Sequence, residues 1–312
     1  MRVERESTLN SSNRRNAAIK PYLESSKWRV YESLPDFKSR YGGSWESGEV
    51  RVLNQSIDFS VRPKSGSTRL AVIFNSQQKA GAPLKLFTWE KAAERIGCSR
   101  LHISDPVLNT SEELTLGWYT SNQNGEFQKP IRNLIENVAD KLGCEELVFL
   151  GSSGGGLPAS VLSQYFPNSL SLLLAPTFSI PGSLRRKPNE IFLKENSADD
   201  IDTLKTKRKE TDFDLFSTLD RVDGLQSNIQ LLQSRGDLSF WKYQTQPLLR
   251  KLGYDLEYPP QYIGIENLHA HFGDWGKAHT PPPADLVYKV CESVGSASTG
   301  SLMSFSILPL TS

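Results

Sequence analysis

Cysteine and histidine are scarce in this 312-residue sequence, and each scarcity narrows the chemistry. The three cysteines, Cys98, Cys144 and Cys291, are widely spaced. They form no metal-type pair, and their odd number suits reduced thiols rather than a disulfide framework. The histidines are only His102, His269, His271 and His279, so a histidine-dependent catalyst must draw on that short list. An excess of charge of one sign is lacking too. The 36 basic and 35 acidic residues leave a formal net charge of +1, with no electrostatic case for nucleic acid or an anionic membrane surface. No apolar run approaches the ~20 residues needed to span a bilayer. The first ten residues are polar, carry both charge signs and lack the apolar core of a signal peptide. A soluble, cytoplasmic protein is the expectation. The phosphate-cradling pattern G-x-x-x-x-G-K-[ST] is absent, and Gly151-Ser-Ser-Gly-Gly-Gly156 does not complete G-x-G-x-x-G.

What is present is centred on residues 147–160, which read as an apolar strand, a very tight turn and a helix. The turn contains G-x-S-x-G, with Gly151, Ser153 and Gly155 in the fixed places. A serine at the tip of such a turn takes a strained backbone, so the residues two away must be small. Ser153 meets that condition. Ser152 does not, because Leu150 stands two residues before it. Strain of this kind, about 1–3 kcal/mol, has to be absorbed by the surrounding sheet. An ordinary Gly/Ser-rich connection is the bland alternative.

The remaining pattern supplies such a sheet. Residues 28–31, 49–53 and 57–62 alternate apolar with polar, as half-buried strands of a small antiparallel meander do. Leu70–Phe74 is continuously apolar, as a strand covered on both faces should be. Further strands are expected at 100–104, 147–150, 169–175, 228–233 and 262–265. Helices are expected at 87–96, 130–142, after Ser153, at 241–252 and at 286–294. This alternation argues for an α/β domain over 26–294, with a mainly parallel sheet and helices on both faces. Residues 187–225 are charged, with one apolar cluster at Phe213, Leu215, Phe216 and Leu219. They read either as a short helical lid or as a solvated connection. The termini, 1–25 and 295–312, read as loose.

A serine hydroxyl needs a base within hydrogen-bond reach, and the base needs an orienting acid. After a nucleophile elbow the chain order is serine, acid, histidine. Asp237, just beyond the strand at 228–233, is the best-placed acid, ahead of Asp105, Asp223 and Asp274. A histidine beyond the last strand should complete the set. His271 is preferred, then His269. His279, followed by Thr280-Pro-Pro-Pro283, reads as the lead-in to the last helix and ranks third. Two backbone N–H donors should stabilise an oxyanion. One should come from Gly154, directly after the nucleophile. The other should come from the loop after Leu70–Phe74, at Asn75 or Ser76, with Gln77 behind them.

On these residues the chain resembles the α/β-hydrolase fold superfamily over about 70–294, with the strongest match at Gly151–Gly155. It departs from many esterases and lipases in lacking a His-Gly signature at Asn75-Ser76-Gln77. The resemblance implies a serine hydrolase cleaving an ester or related acyl bond, needing no metal or organic cofactor. Leu116-Gly-Trp-Tyr119, the elbow and Leu174-Ala-Pro176 are also similar to hydrolase-like proteins of bacterial surface-glycan biosynthesis. That likeness implies a second possibility, O-acetyl transfer to a glycan. A hydrolase-like binding module without catalysis is the third. The expected partner is a small-molecule or glycan acyl substrate. Its identity and the oligomeric state are left open by the sequence.

Overall fold

The computed structural model describes residues 12–25, 27–183, 186–265, 267–298 and 300–306. Ten strands form one sheet: β1 (Trp28–Tyr31), β2 (Glu46–Val52), β3 (Gln55–Arg62), β4 (Arg69–Phe74), β5 (Ser99–Ile103), β8 (Glu146–Ser152), β9 (Leu170–Leu174), β10 (Asn228–Ser234), β11 (Tyr262–Ile265) and β12 (Leu268–Gly273). The short strands β6 (Ser121–Asn122) and β7 (Gly125–Glu126) make a separate antiparallel pair. The spatial order of the main sheet is β1-β2-β3-β5-β4-β8-β9-β10-β12-β11. The six strands from β5 to β12 run parallel, and β2, β3 and β11 add antiparallel pairings at the two ends. This is the α/β-hydrolase fold.

The sequence pattern explains the layering. Every residue of β4, β8, β9 and β10 is buried, which is why the first three read as largely apolar runs rather than alternating ones; β10 also buries Asn228, Gln230, Gln233 and Ser234. One face carries the helices Glu90–Ile96 and Ala284–Ser296, packed closely enough that a side chain at Gly295 would strike the Ile96 carbonyl. The helices Gln128–Leu142, Gly156–Ser163 and Leu215–Val222 bury their apolar stripes in the core on the other face. Strands β2 and β3 are joined by Leu53-Asn54, both with positive φ (51° and 58°), as a two-residue turn matching the strand twist requires. Among the described residues no helix is long and apolar enough to cross a membrane.

Four stretches differ from the sequence expectation. β1 runs parallel to β2, reached through the helix Leu34–Arg40, where the sequence reading has an antiparallel meander. Part of the supposedly loose 1–25 segment is a helix, Asn13–Glu24. It is held by charge rather than by an apolar stripe, which is why hydrophobic periodicity misses it. Arg15 reaches the buried carboxylates of Asp58 and Glu49, with Nε 2.8 Å from Asp58 Oδ2. Arg14 donates to the carbonyls of Leu114, Ala82 and Lys79. At the other end, Asn228 Nδ2 on β10 donates to the carbonyls of Leu302 and Phe305, so residues 302–305 of the supposedly loose tail dock on the sheet. Finally, 268–273 is a strand, β12, where the sequence reading has a loop. Residues 1–11 and 307–312 lie outside the described residues.

Asp58 is fully buried, so removing its cation would strand a charge. Arg15→Ala should therefore destabilise the fold by about 3–5 kcal/mol, read by denaturant unfolding. A loss below ~1 kcal/mol would show that the helix is not pinned by this pair.

Candidate active site

Strand β8 runs into a tight turn, Ser153–Gly155, and then the helix Gly156–Ser163. Ser153 has φ of +50°, the left-handed region that a non-glycine residue rarely occupies. Ser152 before it is extended, at φ −124°. The turn closes only because its flanks lack side chains. A Cβ at Gly151 would lie 2.2 Å from the Gly155 carbonyl oxygen, and one at Gly155 would lie 2.6 Å from the Asn75 carbonyl oxygen. The small residues selected from the sequence thus answer two backbone contacts: the turn against itself, and the turn against the loop after β4. The Ser153 carbonyl accepts the Thr177 N–H at 2.8 Å, tying the elbow to the end of β9.

Asp237 follows β10 and is 2% exposed. Its Oδ1 accepts the Phe240 N–H at 3.2 Å. Its Oδ2 lies 2.9 Å from His279 Nδ1. His279 Nε2 in turn lies 2.9 Å from Ser153 Oγ. When Nδ1–H donates to the Asp237 carboxylate, Nε2 is left to accept the serine hydroxyl proton. The loop bearing His279 is fixed against the end of β10. Ser234 Oγ donates to the Gly276 carbonyl at 2.7 Å, and a Cβ at Gly236 would lie 2.1 Å from that same oxygen. The Phe240 ring lies over the imidazole, with centroids 3.8 Å apart and planes 16° from parallel.

The structure thus places Ser153 and Asp237 on opposite sides of one imidazole, and that imidazole is His279, not His271. The reason is β12. His271 lies inside this strand, opposite Leu232 of β10, and its ring stacks on Trp275. His269, on the same strand face, bonds through Nδ1 to the Tyr262 hydroxyl at 2.8 Å. Burial lowers the pKa of both. The burial pattern of Leu268–Gly273 alternates strictly, with Leu268, Ala270 and Phe272 inward. That period of two was legible in the sequence. Reading it would have moved the last parallel strand to Gly273 and made His279 the first histidine beyond it.

The second difference concerns Asn75. Its backbone N–H donates to the Tyr119 hydroxyl at 2.6 Å and is therefore engaged away from the elbow. Its side chain closes the following loop, donating to the Leu86 carbonyl at 2.7 Å and accepting the Thr88 hydroxyl at 2.7 Å. Ser76 comes next and reaches the elbow itself, its Oγ donating to the Ser152 carbonyl at 3.0 Å. Gly154 is buried at the start of the helical turn.

No family model matches the sequence, and no curated protein matches it either. Solved structures do resemble the fold. The capsule O-acetyltransferase of Neisseria meningitidis serogroup A superposes with a TM-score of 0.56 at 16% identity, covering 79% of this chain and 96% of that one. MPT51 of Mycobacterium tuberculosis superposes with a TM-score of 0.51 at 11% identity, covering 81% and 98%.

The packing at the elbow predicts a sharp contrast between glycines. Gly155→Ala must push the Asn75 backbone aside and should cost about 1–3 kcal/mol in thermal or denaturant unfolding. Gly42→Ala, with nothing within 4 Å of the added Cβ, should stay within about 0.5 kcal/mol of wild type. Equal effects would mean that the close approach does not constrain the turn.

Proposed function

We propose that this chain is a serine-dependent acyl-transfer enzyme that hydrolyses an ester or related acyl bond. The observation that carries the reading is His279, placed 2.9 Å from Ser153 Oγ on one side and 2.9 Å from Asp237 Oδ2 on the other. A positive φ at the serine between close-packed glycines supports it. Ser153 Oγ attacks the acyl carbon while His279 Nε2 accepts the serine proton. Asp237 holds the imidazole tautomer and stabilises its positive charge. The oxyanion of the tetrahedral intermediate accepts the N–H groups of Gly154 and Ser76. Collapse breaks the bond to the leaving group, which departs with the proton from His279. The same steps with water as nucleophile release the acid and regenerate Ser153.

A second reading, transfer of the acyl group to a glycan hydroxyl, keeps the first half-reaction and changes the acceptor. It is supported by the likeness to the capsule O-acetyltransferase. The helices Arg186–Glu195, Ile201–Lys207 and Leu215–Val222 occupy the stretch read from the sequence as a lid or a solvated connection. The first of them borders a cavity of about 520 Å³ whose lining includes Gln77, next to Ser76, with Thr115, Glu112 and Lys187. Those polar groups suit a hydroxylated acceptor. Mass analysis of products formed from an acetyl ester with and without an oligosaccharide separates the two: acetylated sugar means transfer, free acetate alone means hydrolysis.

A fluorophosphonate probe should label the wild type at Ser153 and leave Ser153→Ala unlabelled. His279→Ala should slow labelling by roughly 10³-fold or more, whereas His271→Ala should remain within about threefold of wild type. The reverse ranking of the two histidines, or labelling that survives Ser153→Ala, would contradict the assignment. A folded chain inert to the probe would favour a non-catalytic binding role.

A further inference from the structure

The run Leu116-Gly-Trp-Tyr119 has no part in the relay from Asp237 to Ser153, yet it is built at evident conformational cost. Trp118 and Tyr119 are consecutive non-glycine residues with φ of +53° and +59°. Such residues persist only where their surroundings over-determine them. Here the determinant is Asp105, which follows β5 and is 2% exposed. Its Oδ2 accepts the Gly117 N–H at 2.8 Å, and its Oδ1 accepts those of Val107 and Tyr119 at 3.1 and 3.2 Å. Burial lifts the Asp105 carboxyl to about 7 against the pull of these N–H groups. There is no room to relax, because a Cβ at Gly117 would lie 2.3 Å from Val107 Cβ.

The held segment touches both arms of the proposed oxyanion hole. The Tyr119 hydroxyl accepts the Asn75 N–H at 2.6 Å and donates to the Ile103 carbonyl at 2.9 Å. The Thr115 carbonyl accepts the Gln78 N–H at 2.8 Å, and Thr115 Oγ1 accepts Gln77 Nε2 at 2.9 Å. Residues on both sides of Ser76 are thereby fixed. On the other arm, Leu116 lies on Gly154, where a Cβ would come 2.4 Å from Leu116 Cδ1. One five-residue segment anchored on one carboxylate thus spans the neighbours of both donors.

We propose that Tyr119 is a positioning residue of the oxyanion hole, and that the Asp105-anchored segment Thr115–Tyr119 sets the separation of the Gly154 and Ser76 N–H groups. The proposal rests on the acyl-serine reading above. Donors of this kind act only when about 2.7–3.1 Å from the developing oxyanion, so a small shift of the loop weakens transition-state binding more than ground-state binding. Tyr119 touches neither substrate nor reacting atoms; it acts through the Asn75 backbone.

Tyr119→Phe removes only the hydroxyl. The matched control is Tyr165→Phe, which deletes another hydroxyl bond, 2.6 Å to Asp212, away from the elbow. Both full-length variants are compared with wild type for thermal stability, for p-nitrophenyl acetate kinetics and for the rate of fluorophosphonate labelling at Ser153. We expect both to lose stability. Only Tyr119→Phe should lower kcat and labelling together, by about 10–100-fold, with KM within about twofold. Leu116→Ala, acting on the Gly154 arm, should show the same split and stands in if Tyr119→Phe does not fold. Activity and labelling of Tyr119→Phe (or of its stand-in) within threefold of Tyr165→Phe would overturn the proposal alone. So would a raised KM with unchanged kcat. A folded wild type inert to the probe would overturn the acyl-serine reading and the proposal with it.

Discussion

The organisation of the molecule depends on one steric constraint, the close approach of three chain segments at Ser153. The serine sits at φ +50° because β8 must reverse into a helix within three residues. That reversal brings the Gly155 carbonyl against Gly151 and the Asn75 carbonyl against Gly155. Neither contact leaves room for a methyl group. The parallel strands on either side of β8 hold the geometry. They also deliver the loop after β4 on one side and Asp237 after β10 on the other. The strained turn, the acid and the loop after β4 are thus consequences of a single strand order.

The histidine arrives by a different route. It rides on the loop between β12 and the last helix, and that loop is fastened to the end of β10 through Ser234, Gly236 and Gly276. Asp237 serves two edges there. One oxygen faces the imidazole, and the other caps the short turn that lays Phe240 over the imidazole face. The acid thereby fixes both the position and the covering of the ring, which explains why it is almost wholly buried although it follows an exposed glycine.

Much of this was legible in the sequence for a physical reason. Strands buried on both faces are largely apolar, and a strained elbow must have glycines at fixed spacing, so β4, β8, β9 and Ser153 announce themselves. What the sequence conceals is held together by polar contacts with no periodicity. The helix Asn13–Glu24 is pinned by Arg14 and Arg15, and the docked tail by Asn228. Nothing in the run 75–77 betrays that the Asn75 N–H is already engaged by Tyr119. The misplaced histidine is of another kind. The alternation at Leu268–Gly273 was present, but two histidines on the outward face made the segment read as a catalytic loop. Asp105, set aside as an acid because it precedes the serine, instead organises the strained run at Trp118-Tyr119.

In the proposed mechanism the Ser153 hydroxyl carries the acyl group between donor and acceptor. Rapid quenching of the enzyme with p-nitrophenyl acetate, followed by peptide mass mapping, tests this most directly. One acetyl group is expected on the peptide containing Ser153, formed faster than the product of turnover and absent in Ser153→Ala. Turnover without an acetylated Ser153, or acetyl transfer that persists in Ser153→Ala, would contradict it.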